Sequence, residues 1–138
     1  EALGGQIPKF AHLPLMTDIT GVGLSKRLGS TTVHSLREQG CEPIALAHHL
    51  AKLGSNGIDL QISCLKDLFE MFDIAKINQA KPKFDLDQLW ADNTKFLHSM
   101  PFDTAKKRFD SIGLTDITYE FWQCVKKNLR HKSYRLDF

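Results

Sequence analysis

Glycine and proline divide this chain into two textures, and that division constrains the fold more than any other feature. Gly4, Gly5, Pro8, Pro14, Gly21, Gly23 and Gly29 cut residues 1–31 into apolar pieces such as His12-Leu13 and Leu15-Met16, too short for a helical period. Those pieces predict loops with one or two short strands packed on something else. From Thr32 onward apolar residues recur at helical spacing between clear stops. The fold class expected is mainly α: an irregular loop and short-strand N-terminal segment, then a helical bundle of about five to six helices.

The helical part can be followed stop by stop. Val33 to Gln39 predicts a short helix closed by Gly40, a good C-terminal stop. Pro43 suits a first helical position, Leu46, Leu50 and Leu53 fall at i, i+4 and i+7, and Gly54 ends that helix. Leu65, Leu68, Phe69 and Phe72 suggest a third helix with Ser63 as its cap. Asp73 to Phe84, carrying Lys76, Lys81, Pro82 and Lys83, has the composition of a connector. Asp85 with Gln88 is a variant capping box introducing Leu86, Leu89, Trp90, Phe96 and Leu97 on one stripe. Asp103 is expected to cap a helix with Ala105, Phe109 and Ile112 inside, stopped by Gly113. A last helix from about Thr118 to Leu129 would turn Phe121, Trp122, Val125 and Leu129 inward. Trp90 and Trp122, with Phe69, Phe72, Phe96 and Phe109, are expected in the core rather than as platforms for stacked bases.

Composition excludes several classes of protein. At 138 residues, with 42% hydrophobic and 25% charged, the chain can bury a core without disulfides or metals. A formal net charge of +2 excludes a histone-like tail but permits a locally basic face. Cys41, Cys64 and Cys124 are odd in number and scattered, which fits reduced thiols and a cytoplasmic location. No apolar run reaches the roughly 20 residues that span a bilayer. Glu1-Ala2-Leu3-Gly4-Gly5 has neither an initiator Met nor a basic n-region, and is read as the start of a piece of something larger.

Common chemical motifs are missing. There is no Gly-x-x-x-x-Gly-Lys loop, no Gly-x-Gly-x-x-Gly after a strand and no Gly-x-Ser-x-Gly elbow. No cluster of histidines, cysteines and carboxylates stands at metal-ligand spacing, so no metal site is expected. His48 and His49 are adjacent and would point about 100° apart on a helix, which favours a solvated or core-edge place for both. One segment stands out: Gly21-Val22-Gly23-Leu24-Ser25-Lys26-Arg27-Leu28-Gly29, a glycine-flanked loop presenting a hydroxyl and two adjacent cations. Glycine lets a backbone approach an anion closely, and Lys26 is a compact charge suited to phosphate. By spacing alone, a solvated turn would serve as well.

The run Pro8-Lys9-Phe10-Ala11-His12-Leu13-Pro14-Leu15-Met16, followed by Gly23-Leu24-Ser25-Lys26-Arg27, resembles bacterial glutamyl-tRNA synthetases. In that family a Phe-Ala-His-Leu-Pro-Leu stretch precedes the Lys-Leu-Ser-Lys-Arg form of the class I "KMSKS" loop. The likeness continues through Leu36-Arg37-Glu38-Gln39-Gly40, Glu42-Pro43-Ile44-Ala45-Leu46, Leu50-Ala51-Lys52-Leu53-Gly54 and Phe84-Asp85-Leu86-Asp87-Gln88-Leu89, and thins after about His98. It implies the C-terminal part of such an enzyme. Residues 1–60 would form the signature loop and stem-contact region, and residues 61–138 the first part of a helical anticodon-binding region.

The activity implied is ATP-dependent activation of glutamate and its transfer to the 3′ end of tRNA for glutamate, with the glutamine acceptor as a second candidate. ATP would come with Mg2+. The ATP loop would be Gly23, Leu24, Ser25, Lys26 and Arg27, with Lys26 binding ATP and stabilising the adenylate-forming transition state. Two departures from the pattern stand out: Gly23 replaces the usual first lysine, and Leu28 replaces the histidine that often follows the arginine. The loop thus carries one cation fewer toward the triphosphate. His-x-Gly-His, the family's other signature, occurs nowhere in these residues, so this part alone should not aminoacylate.

The densest basic stretch holds Lys126, Lys127, Arg130, Lys132 and Arg135, with Tyr134 among them. Such cations can neutralise RNA phosphates, or simply sit solvated at a helix C-terminus favoured by its dipole. Lys126, Lys127 and Arg130 are candidate tRNA contacts, as are Arg37 and Lys52 in the stretch resembling the stem-contact region. Two other classes compete: a non-catalytic RNA-binding adaptor derived from a synthetase, and a helical protein–protein interaction domain.

Overall fold

The structure, a computed structural model, describes residues 4, 10, 12–24, 32–55 and 64–129. Among these, six α-helices follow one another: α1 (Val33–Glu38), α2 (Pro43–Gly54), α3 (Leu65–Met71), α4 (Leu86–Ser99), α5 (Phe102–Ser111) and α6 (Tyr119–Lys126). The mainly α fold is thus as expected. A short 3-10 turn, Ile74–Lys76, lies in the connector before α4. Instead of the expected strands, the described part of the N-terminal segment makes isolated bridges, Thr17 to Gly23 and Thr17 to Lys83. The chain turns back at Asp18–Val22 directly after Thr17, which leaves no run of extended residues for a longer ladder.

Local chemistry explains most helix ends. Thr32 accepts from the Ser35 amide at 3.0 Å while Ser35 Oγ accepts from the Thr32 amide at 2.9 Å, a reciprocal box that starts α1. Gly40 follows α1 with φ +82°, a left-handed conformation that a side chain would strain, and its amide donates to Arg37 O at 3.0 Å. Pro43 is the first residue of α2 and Gly54 its last. Asp85 caps α4 by accepting from the amides of Asp87 and Gln88. The Gln88 side chain turns instead to Asp92, 3.2 Å away, so the box expected there is not closed.

Two other expected caps are corrected. Ser63 lies outside the described residues, and Cys64 takes the cap position of α3, its amide donating to Asp67 Oδ2 at 3.0 Å. Helix α5 is preceded by Pro101, with Asp103 inside the first turn, where its charge still meets the helix dipole favourably.

Among the described residues, burial gathers in three clusters. Met100, Ala105, Phe109, Trp122 and Leu129 pack α4, α5 and α6 together. The Trp122 indole donates to Met100 O at 3.3 Å, and its ring meets Phe109 edge-on at 5.9 Å. Leu36, Cys41, Leu89 and Trp90 join α1 to α4, with Leu46 and Phe84 against them. Leu68 of α3 packs on Ile44, Ala47 and Ala51 of α2. Glu42 grips the Arg108 guanidinium with both carboxylate oxygens, tying the start of α2 to α5 across 66 residues of sequence.

Both tryptophans, Phe96 and Phe109 lie in or against the core as expected, but other inward placements are corrected. Phe69 is 77% exposed and Phe72 55%, because two-turn α3 covers only its Leu68 side. Phe121 is about 100° around α6 from Trp122, which takes the core position, so Phe121 faces out. Ile112 is the residue after the last turn of α5 and is also exposed. Leu50 of α2 is exposed too, because Ala45, His48 and His49 take that helix's inner face.

Candidate functional site

The root of the glycine-flanked loop is a tight turn organised by one carboxylate. Asp18 Oδ1 accepts from the amides of Thr20 and Val22, each at 2.9 Å, and from the Thr20 hydroxyl at 2.6 Å. The Asp18 amide donates to Val22 O at 2.8 Å, closing the turn from the other side. The Thr20 hydroxyl bond, with the two amides, holds the Asp18 carboxyl below its usual range. Gly21 sits in the turn at φ +88°.

Thr17, just before this turn, is buried and shared by three stretches of chain. It bridges antiparallel to Gly23, donates its amide to Pro82 O at 2.9 Å and accepts from the Phe84 amide at 2.7 Å. The turn is therefore fastened to the residues that lead into α4. At Gly23 a Cβ would meet only Leu15 Cδ2, at 4.0 Å, and no positive φ demands glycine there. The missing lysine is thus a difference of charge rather than of space. Leu24 is 54% exposed beside it. Ser25, Lys26 and Arg27 lie outside the described residues, as does Arg130.

The remaining candidate cations are spread over the fold. Arg37 is exposed in the last turn of α1 and Lys52 in the last turn of α2. Lys126 ends α6 and Lys127 follows it, beside the separate cluster around Trp122. Among the described residues no group of three or more His, Cys, Asp or Glu is placed to hold a metal ion. None of the described helices is long and apolar enough to cross a membrane.

One constellation escaped the sequence. His49 Nδ1 lies 3.0 Å from Asp92 Oδ2, both side chains 2% exposed, and the Phe84 ring meets the imidazole edge-on at 5.5 Å. Burial pushes the Asp92 carboxyl up, but the His49 bond, the Lys52 charge and the Gln88 bond together leave it below its usual value. Lys95 approaches the other carboxylate oxygen at 3.9 Å. Both His48 and His49 are buried, which corrects the solvated or core-edge expectation: they share the inner face of α2 with Ala45. Forty-three residues separate His49 from Asp92. No local signal marks the pair: that the imidazole is buried and needs a partner follows only from the packing of the helices. Cys41 is inert by comparison, its thiol pushed up to about 11 by burial and the Glu42 charge.

With this geometry in place, similarity to known proteins is informative. The chain is 50% identical over 127 residues to a glutamate–tRNA ligase of Azospirillum brasilense, a match covering 91% of this chain and 28% of that protein. It is 39% identical over 127 residues to glutamate–tRNA ligase 2 of Hyphomonas neptunium and 42% identical over 130 residues to glutamate–tRNA ligase 1 of Brucella ovis. Those matches cover 92% and 94% of this chain and again 28% of each relative. No family model matches the chain. The resemblance drawn from the residues is borne out: nearly the whole chain aligns with a segment of bacterial glutamate–tRNA ligases, spanning little more than a quarter of their length.

Proposed function

We propose that this chain, similar to a segment of glutamate–tRNA ligases over more than nine-tenths of its length, is the signature-loop and tRNA-contacting part of such an enzyme. That extended identity is the observation that carries the proposal, and Gly23-Leu24-Ser25-Lys26-Arg27 is where the chemistry would lie. The reaction joins glutamate to ATP as glutamyl adenylate with release of pyrophosphate, then passes the acyl group to the terminal ribose of tRNA. Lys26 would meet negative charge as it builds on the triphosphate, which accompanying Mg2+ would also shield. Leu24 and Ser25 would shape the loop, and Arg27 would add a second cation.

Residues 1–60 supply the loop and the stem-contacting part, and residues 61–138 the first anticodon-side helices. The two are functional rather than packing units, since α2 of the first lies against α3 and α4 of the second. Arg37, Lys52, Lys126, Lys127 and Arg130 would contact the phosphates of the tRNA for glutamate, with the glutamine acceptor as a second candidate.

The test is pyrophosphate exchange with the native enzyme carrying this chain. Lys26→Ala should cut glutamate-dependent exchange by about 100-fold while leaving tRNA affinity within twofold. An unchanged exchange rate removes Lys26 from the mechanism. The competing assignment, a non-catalytic RNA-binding adaptor, requires that no His-x-Gly-His be encoded upstream of Glu1. Salt-independent tRNA binding would reject both in favour of a protein-interaction domain, because a phosphate-tracking surface loses affinity steeply with salt.

A further inference from the structure

Between the turn at residues 18–22 and the helices, one buried residue joins both. We infer that Thr17 is a positioning residue for the ATP loop: its main chain fastens the root of that loop to the start of α4, setting where the loop meets ATP. The inference rests on assigning Gly23-Leu24-Ser25-Lys26-Arg27 as the ATP loop.

Thr17 is 4% exposed, and its amide and carbonyl are both committed to the connector, to Pro82 O at 2.9 Å and from the Phe84 amide at 2.7 Å. On its other side it bridges Gly23, the first residue of the loop. The connector is itself held from beneath. Phe84 lies against Leu36, Cys41, Leu89 and Trp90, and its ring meets His49, which is locked to Asp92. The next residue, Asp85, caps α4. A continuous set of short contacts therefore runs from Gly23 through Thr17 and Phe84 to the α2–α4 seam.

Buried main-chain bonds of this kind are costly to leave unmade, so they hold the turn in one place. Displacing the root of the loop would carry its cations away from bound ATP, and the KM for ATP would rise.

Proline substitution removes one amide donor and leaves the carbonyl. In the native enzyme, Thr17→Pro deletes the bond to Pro82 O, whereas Thr17→Ala keeps both main-chain bonds. Relative to Thr17→Ala, Thr17→Pro should raise the KM for ATP in pyrophosphate exchange about tenfold, with the Kd for tRNA within twofold. Equal KM values in the two variants would overturn the inference. So would a lower kcat at constant KM that merely tracks a lower melting temperature, the signature of a structural role. Should Thr17→Pro not fold, Phe84→Pro against Phe84→Ala poses the same question of the other bond, since both lose the ring and only the proline loses the amide. Lys26→Ala measured alongside separates the two levels. Loss of exchange in Lys26→Ala with no Thr17 effect sinks the positioning role alone, and no effect in either sinks the loop assignment beneath it.

Discussion

Removing the Asp92 carboxylate should be among the most damaging single changes in the helical part. His49 and Asp92 are each 2% exposed and 3.0 Å apart, and His49 Nε2 has no hydrogen-bond partner among the described residues. An ionised carboxylate can only accept, so the bond requires a proton on His49 Nδ1. With a neutral imidazole, Nε2 then presents a lone pair rather than a second buried N–H. Asp92→Ala strips the acceptor from that Nδ1–H and from the Gln88 amide, and takes the partner from Lys95. The buried imidazole N–H left without its acceptor, together with the lost Gln88 bond, costs about 2–3 kcal/mol. Asp92→Asn keeps the volume and an acceptor oxygen for His49 and forfeits the charge and the second acceptor, so about 1 kcal/mol is expected.

Urea unfolding of the purified chain, followed by tryptophan fluorescence, reads both values. With a slope of about 1.5 kcal/mol per molar, the alanine variant should lose about 1.3–2 M in midpoint and the asparagine variant under about 1 M. Costs within about 0.5 kcal/mol of each other for the two variants would refute the buried-pair account. The pH dependence gives a second check. Folding lowers the carboxyl below its ordinary 3.8, so its contribution is complete above that value and disappears as pH falls through the lower folded one. The gap between wild type and Asp92→Asn should therefore stay level from about pH 7 to 5 and close below about 4.

Two further outcomes follow from burial. Trp122→Ala empties the centre of the α4–α5–α6 cluster and orphans the Met100 carbonyl, so thermal unfolding should reveal a loss of about 3–5 kcal/mol. Phe69→Ser removes a ring that is 77% exposed, and calorimetry should detect a change within about 0.5 kcal/mol; a loss above about 2 kcal/mol would mean the ring is covered.

Helix positions were legible because their signals are local. Pro43 and Gly54 bound α2 at the residues expected, and Thr32 and Asp85 cap through atoms two or three residues away. Inward faces were harder to assign. The stripe Leu65, Leu68, Phe69 and Phe72 promises a buried face, yet whether a stripe is covered depends on what packs against it. Here α2 presents the small Ala47 and Ala51, with Ile44, to Leu68 alone. Phe121 and Trp122 are neighbours of similar apolar character, and only the arrangement of α4 and α5 decides that Trp122 goes inside.

The sequence by itself determined the two-texture plan, the helix boundaries set by proline, glycine and cap residues, and the likeness carried by His12-Leu13-Pro14 with Leu24-Ser25-Lys26-Arg27. Each is written in consecutive residues, where backbone stereochemistry and short-range hydrogen bonds act without the rest of the chain. Only the tertiary structure decided that His49 meets Asp92, that Glu42 holds Arg108 and that Thr17 ties the loop root to the start of α4. Those partners lie 43, 66 and more than 60 residues apart. No periodicity encodes such pairs, because they come together only once the helices have packed and excluded the water that would otherwise satisfy them.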